Sequence, residues 1–342
     1  MSEKLRAVMV GCGGITQAWF TPLQEIPEVE IVGLVDLLEE NALARQAQYG
    51  LQGALIGSDL GEMLERTRPD VVFNCTIPEA HAPLTIQALQ FGCHVLQEKP
   101  LADSMDAARR MVAVAERQNR ILAVIQNRRY DANIRRLRNL VASGVVGPLT
   151  TANCDFYVGA HFGGFRDHMA HVLLLDMAIH TFDAARLITG ADPVSVYCHE
   201  WNPAGSWYDR DASAVAIFEM SDGLVYTYRG SWCSEGLNTT WESDWQLIGT
   251  QGSIHWGGAE SIEGERVSAT GTFRSALEPI VVPPFDAGVK VGAHGGVIRE
   301  FVRCVQSGQQ PETRAADNIR SLAMVFGAIE SAETGRSVRI DL

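Results

Sequence analysis

Ala7-Val8-Met9-Val10-Gly11-Cys12-Gly13-Gly14-Ile15-Thr16 is the stretch that decides the fold. An uninterrupted apolar run ending in glycine reads as a strand buried on both faces. The glycines that follow let the backbone turn tightly into a helix, where free N–H groups at the helix start can meet the charge of a pyrophosphate. Thr16 stands where G-x-G-x-x-G would place its third glycine, so the pattern is incomplete. A tight turn with no ligand is the alternative reading at this point.

Working outward, four more apolar runs follow, at Ile31–Val35, Val71–Asn74, His94–Gln97 and Ile121–Ile125. Helical patterns separate the runs: Ile15–Glu25, Glu39–Tyr49, Leu60–Arg66, Ala82–Phe91 with Gly92 as a stop, and Ser104–Gln118. Strands alternating with helices imply an α/β chain with a doubly wound parallel sheet, whose ligands sit at the carboxyl ends of its strands. Those ends supply Gly11, Gly13, Gly14 and Ile15, then Asp36, then Thr76, Pro78 and His81, then Glu98 and Lys99, then Gln126. All are candidate cofactor contacts. Asp36 can accept hydrogen bonds from an adenosine ribose, and Leu37 and Leu38 follow it where an arginine would receive a 2'-phosphate; NAD is favoured, with NADP possible. His81 also reads as a residue packing locally at the start of its helix. Lys99 has two readings, a salt-bridged surface group or an ammonium that polarises a substrate oxygen.

Beyond Asp131 the pattern changes. After a helix at Ala132–Ala142, strand-like runs appear at Leu149–Tyr157, Val194–His199, Ala214–Met220, Leu224–Ser231, Trp245–Gly249 and Gly252–Trp256. Asp222-Gly223 signals a hairpin, and polar residues around Glu263 and Gly264 read as a loop. This half is expected to be a mostly antiparallel sheet with a few helices, one spanning Leu173–Thr189 and two more at Val297–Ser307 and Asn318–Thr334. The division falls at residues 1–126 and 127–342. On the Leu173–Thr189 helix, Asp176, His180 and Asp183 share one face at i, i+4 and i+7. His180 there suits a general base with Asp176 to orient it or hold substrate. A surface pair, or a histidine satisfied by Asp183, is the bland account. Zinc on Asp176, His180 and His168 or His171 matches no familiar spacing, so no metal is expected.

At 342 residues the chain suits two domains, and 46% hydrophobic against 20% charged residues suits a packed soluble protein. A formal charge of -13 argues against nucleic acid or an anionic membrane as partner. Seven cysteines without C-x-x-C spacing read as free thiols, and with no signal-peptide core or membrane-length apolar run the expected location is cytoplasmic.

Taken together, the Gly11–Thr16 turn, the Thr76–His81 loop, Glu98-Lys99-Pro100, Asn127-Arg128-Arg129, the D-x-x-x-H pair Asp176 and His180, and Glu300, Phe301 and Asp317 near the end resemble the Gfo/Idh/MocA oxidoreductases. The likeness covers essentially the whole chain. It implies a Rossmann domain followed by an open-faced α/β domain, catalysis by Lys99, Asp176 and His180, and a homodimer or homotetramer formed through the open sheet. It further implies hydride transfer between nicotinamide and a sugar, cyclitol or related polyol. Lys99, Arg128, Tyr157, Arg166, Asp176 and His180 are the candidate substrate contacts, with Trp207 and Trp232 as stacking surfaces or core. Family members often carry a glycine run before the D-x-x-x-H helix, whereas Ala170, His171 and Val172 stand here. NAD-dependent glycoside cleavage by transient oxidation, and a dinucleotide-binding regulator without catalysis, are the alternatives.

Overall fold

The apolar run at the start of the chain does form a central strand. The structure is a computed structural model that describes residues 4–284 and 290–342. In chain order the elements are β1 (Leu5–Val10), α1 (Gln17–Leu23), β2 (Val29–Val35), α2 (Glu39–Tyr49), β3 (Leu55–Gly57), α3 (Leu60–Thr67), β4 (Val71–Asn74), α4 (Pro78–Phe91), β5 (His94–Gln97), α5 (Met105–Arg117) and β6 (Leu122–Val124). Then come α6 (Ala132–Ala142), β7 (Leu149–Tyr157), α7 (Phe165–His168), α8 (Ile179–Thr189), β8 (Pro193–Trp201), β9 (Ser213–Met220), β10 (Val225–Ser231), β11 (Asp244–Gly249), β12 (Gly252–Trp256), β13 (Ile262–Ala269) and β14 (Ala276–Pro279). The chain closes with α9 (Ala293–Ser307), α10 (Ala315–Thr334) and β15 (Val338–Arg339).

Two compact units divide the chain, Met1–Tyr130 with Lys290–Leu322, and Asp131–Val289 with Ala323–Leu342. The sequence reading gave everything after residue 126 to the second domain, but α9 and the start of α10 belong with the first unit. Val297, Ile298, Phe301 and Val302 on α9 join the core formed by Ala7, Met9, Trp19, Phe20 and Phe73, so apolar packing decides their allegiance.

The first unit carries a six-stranded sheet in the order β3-β2-β1-β4-β5-β6, with every pairing parallel. Strand order reverses between β1 and β4, which is the crevice where doubly wound sheets bind ligands. The short edge strand β3 escaped the sequence reading because Leu55-Ile56-Gly57 is too brief to show a period.

A nine-stranded sheet, β14-β13-β12-β11-β7-β10-β9-β8-β15, forms the second unit. Its pairings are antiparallel except β7 with β10. The hairpin between β9 and β10 turns at Asp222 and Gly223, both at positive φ (60° and 76°), as a tight two-residue turn requires. The expected loop at Glu263 and Gly264 is instead strand β13, pairing with β12 and β14. Its Glu, Arg and Ser side chains are mostly exposed, so backbone bonding rather than an apolar pattern holds it.

One helix departs from the sequence reading in kind. Leu173–Ala178 winds as a π-helix before α8 continues regularly. A wider turn alters the i+4 spacing assumed for Asp176 and His180. Asp183 is buried, 4.0 Å from the Arg186 guanidinium, which in turn bonds Asp192 at 2.8 Å. Among the described residues no helix is long and apolar enough to cross a membrane.

Candidate active site

In the first unit, the site begins at Gly11. Its amide donates to the Val35 carbonyl at 2.8 Å, and its φ of +81° carries the chain across the end of β4. A Cβ there would meet the Cys75 carbonyl at 2.7 Å and the Thr76 nitrogen at 2.8 Å, so only glycine fits. At Gly13 and Gly14 the space a Cβ would take is open. Thr16, in place of the third glycine, is buried and donates its hydroxyl to the Gly13 carbonyl at 2.6 Å, helping to close the turn.

Asp36 at the end of β2 is oriented, not merely solvated. Its Oδ2 accepts from the Cys12 amide at 2.7 Å, and its Oδ1 accepts from the Leu38 amide at 3.0 Å and the Asn41 side chain at 3.1 Å. Arg45 on α2, which the sequence reading passed over, donates to the carbonyls of Gly13 at 3.0 Å and Cys12 at 3.3 Å. No short-range pattern marks such a contact across the turn. Around this edge Ile15, Leu37, Leu38 and Ile77 expose apolar side chains, Leu37 being 90% and Ile77 66% accessible. Flat apolar groups find cover on such residues.

The ends of β4 and β5 are stitched by a buried polar network. Asn74 accepts from the Thr76 hydroxyl at 2.6 Å and donates to Thr85 at 3.1 Å; Thr85 donates to Gln97 at 2.8 Å; Gln97 donates to the Leu101 carbonyl at 2.6 Å. His81 belongs to this network and has no accessible surface: Nδ1 lies 2.8 Å from the Pro100 carbonyl and Nε2 3.0 Å from the Thr76 carbonyl. Burial lowers its pKa in spite of both carbonyls. The geometry thus sets His81 behind the loops that carry Thr76 and Lys99, where it can hold them but not touch a ligand.

Glu98 is buried as well, and its carboxylate faces several partners. The Trp19 indole donates to Oε1 at 2.7 Å, the Lys99 amide donates to Oε2 at 3.1 Å, and His294 Nε2 at the start of α9 stands 3.8 Å away, a charge contact. Burial pushes the Glu98 carboxyl up, yet the contacts from His294 and Trp19 and the Lys99 charge outweigh it and hold it below the usual carboxylate range. The backbone of Lys99 is fixed while its side chain remains partly accessible. Gln126, just past β6, is 1% accessible, and neither polar atom of its side chain has a hydrogen-bond partner among the described residues. Arg128 is partly exposed on the turn Asn127–Tyr130.

In the second unit, Asp176 lies on the π-helical stretch and Arg166 on α7, and the structure brings these two together. Arg166 Nε donates to Asp176 Oδ2 at 2.9 Å and Nη2 to Oδ1 at 3.4 Å. The same guanidinium lies 5.0 Å from the Phe162 ring and 4.8 Å from the Phe165 ring. His180 opens α8 and is partly accessible. Tyr157 ends β7. Along β7 it shares a face with Asp155, which pairs with Arg229 at 2.6 Å, whereas Phe156 points to the buried face. On that buried face Phe182 of α8 packs against Phe218, Tyr226 and Tyr228. Trp232 is core, edge-on to Phe156 and Phe162, and Trp207 stacks on His161 with centroids 3.7 Å apart. His168 pairs with Asp209 at 2.5 Å on the surface, and no group of three or more His, Cys, Asp or Glu among the described residues is placed to hold a metal ion.

Residues 5–126 match the model of an oxidoreductase family with an NAD-binding Rossmann fold, and residues 134–255 match the C-terminal domain of the same Gfo/Idh/MocA family. The D-glucoside 3-dehydrogenase of Escherichia coli K12 is 30% identical over 249 residues, 66% of this chain and 69% of that one. The chain belongs to the Gfo/Idh/MocA oxidoreductase family. As a family member it is an NAD(P)-dependent oxidoreductase. The myo-inositol 2-dehydrogenase of Thermotoga maritima is 24% identical over 347 residues, covering 98% of this chain and 99% of that one. Among solved structures, an Agrobacterium radiobacter oxidoreductase in complex with NAD+, L-tartaric acid and magnesium superposes with a TM-score of 0.85 at 21% identity, over 98% of both chains. At that identity it attests the Gfo/Idh/MocA fold alone.

Proposed function

We propose that the protein oxidises a secondary hydroxyl of a sugar, cyclitol or related polyol with NAD+, so that a secondary alcohol and NAD+ give a ketone, NADH and a proton. The observation that carries this reading is the anchoring of Lys99 at the carboxyl edge of an NAD-binding sheet, its amide on a buried Glu98 carboxylate. Gly11, Gly13, Gly14 and Ile15 would hold the pyrophosphate, with Asp36 on the adenosine ribose and Thr76, Pro78 and Gln126 along the remaining edge. The missing side chains at the turn, the oriented Asp36 carboxylate and the orphaned Gln126 amide fit such a cofactor. When bound, NAD+ supplies the hydride acceptor.

The chain's own residues would do the rest. The hydroxyl proton passes to His180, and the Lys99 ammonium stabilises the alkoxide-like oxygen, an effect that grows where water is excluded. Asp176, held by Arg166, orients His180 or binds a neighbouring hydroxyl. Arg128 and Arg166 remain candidates for substrate hydroxyls. The outward face of the second sheet, where Tyr197 and Ile217 are paired and exposed, is the surface proposed for self-association, which light scattering would read.

An absorbance screen at the NADH maximum over polyols and sugars, with NAD+ and NADP+ in parallel, tests the function. Net NADH formation from a hydroxyl substrate, lost in Lys99→Ala, is the expected result. Glycoside cleavage without net NADH would refute it, as would a Lys99→Ala enzyme with full activity on a confirmed substrate.

A further inference from the structure

His171 adopts a φ of +52°, a region non-glycine residues enter only when their surroundings compel it. Two residues later the chain enters the π-helical stretch that holds Asp176, followed by His180 at the start of α8. Two uncommon backbone states therefore adjoin, and both tend to collect at functional sites. The compulsion on His171 is visible. Its Nδ1 lies 2.6 Å from Oε2 of Glu200 at the end of β8, and its Nε2 lies 3.5 Å from Oε1 of Glu333 in the last turn of α10. Glu200 is 3% accessible at its side chain, and its second oxygen has no hydrogen-bond partner among the described residues. Its carboxylate is thus committed to the imidazole. The His171 carbonyl accepts the Leu175 amide at 3.0 Å, so whatever fixes His171 fixes the first turn of the helix.

We propose that His171 is a positioning residue: clamped between Glu200 and Glu333, it pins the strained entrance to the π-helical turn and so sets where Asp176 and His180 stand. This rests on the reading of those two as the groups that act on substrate. A space-filling histidine would need neither the left-handed backbone nor a buried carboxylate partner; glycine would serve the backbone better.

The charge on the clamp gives it a pH signature. The Glu200 hydrogen bond raises the His171 pKa, against its burial, and the charges of Glu200, Glu333 and Asp211 add to the rise. The His171 charge is therefore present below that elevated value and is lost as pH rises through it, while burial raises the Glu200 carboxyl in spite of the His171 contact, so the pair is charged on both sides only between the two.

The test compares His171→Ala, His171→Gly, His171→Gln and Glu200→Gln. Glycine relieves the backbone strain without restoring the clamp, so it separates the two roles. Expected is a fall in kcat on the order of ten- to a hundredfold for the alanine and glycine variants, with NAD affinity by fluorescence titration unchanged and partial recovery in His171→Gln, which keeps a donor for Glu200. The wild-type alkaline limb of the kcat profile should be absent from His171→Gln. A substrate-independent arm uses the histidine Cε1–H resonances: those of His168 and His171 should titrate above the ordinary range, and one of the two should vanish in His171→Gln, where the His180 signal should also move. A His171→Gly enzyme with wild-type kcat, or NAD affinity falling in step with kcat, overturns the proposal. His180→Ala separates the underlying reading: full turnover there sinks the catalytic assignment, whereas an inactive His180→Ala beside a fully active His171→Gly sinks the clamp alone. If His171→Ala does not fold, His171→Gln and Glu200→Gln carry the same comparison.

Discussion

Substituting Gly11 and Gly13 by alanine, one at a time, should break different things. At Gly11 the new methyl carbon would stand 2.7 Å from the Cys75 carbonyl and 2.8 Å from the Thr76 nitrogen, against backbone that cannot rotate away, with φ held at +81°. The left-handed conformation costs an L-residue roughly 1–2 kcal/mol, and forcing an extra methyl into a packed contact adds about 1–3 kcal/mol. The sum, roughly 2–5 kcal/mol, should lower the melting midpoint by about 4–20 °C at ~2–4 °C per kcal/mol. At Gly13 the φ is -72° and no heavy atom lies within 4 Å of the added carbon. Gly13→Ala should therefore melt within a few degrees of wild type. Its methyl would still occupy the space where a pyrophosphate must approach, so NAD affinity should fall at least tenfold, about 1.4 kcal/mol. Circular dichroism melting and fluorescence titration with NAD+ read the two effects separately. A Gly11→Ala protein that melts like wild type would refute the close-approach argument, and a Gly13→Ala protein that binds NAD+ normally would refute the placement of the cofactor.

Lys99→Ala should lower kcat by about 10²–10³, the usual cost of losing one oxyanion donor, while leaving NAD affinity within a few-fold; steady-state kinetics beside titration check this. Asp36→Ser removes the carboxylate that accepts from Cys12, Leu38 and Asn41. With Arg45 already at the Gly13 carbonyl, the ratio of kcat/KM for NADP+ to NAD+ should rise by at least tenfold, and an unchanged ratio would count against Asp36 as the discriminating group. Glu98 has a folded pKa below its unfolded value, roughly 4.3, so its contribution to stability is present above that value and disappears as pH falls through the lower folded one. Denaturation midpoints of Glu98→Gln and wild type should accordingly differ most at neutral pH and converge toward strongly acidic pH.

Some of this molecule is legible from short stretches of chain and some is not. The β1 turn announces itself because buried strands demand unbroken apolar runs and a crossing backbone demands glycine, both local requirements. The hairpin at Asp222-Gly223 is readable for the same reason. β13 is not, since its residues are exposed and its pairing with β12 and β14 lies entirely in the backbone. The π-helical turn is hidden because Leu173-Leu174-Leu175-Asp176-Met177-Ala178 suits an α-helix equally well, and the extra residue per turn is set by what surrounds it. Arg45, His294 and Glu200 gain their places from contacts between segments remote in sequence. Tyr157 is a different case: the alternation along β7 puts it on the face of Asp155 and opposite Phe156, a placement readable from the strand's own period.

The parallel pairing of β7 with β10 bears on how the protein is made. β7 lies between β10 and β11, so during synthesis it leaves the ribosome long before either neighbour exists. β8, β9 and β10 can pair in order as they emerge, but β7 must wait for β10 and β11, and the aromatic bed of α8 waits likewise for Phe218, Tyr226 and Tyr228. Pairings so distant in sequence form late and slowly. The segment bearing Asp176 and His180 is consequently among the last to acquire its supports on the growing chain, and a nascent polypeptide stalled before β10 would expose it to misassembly.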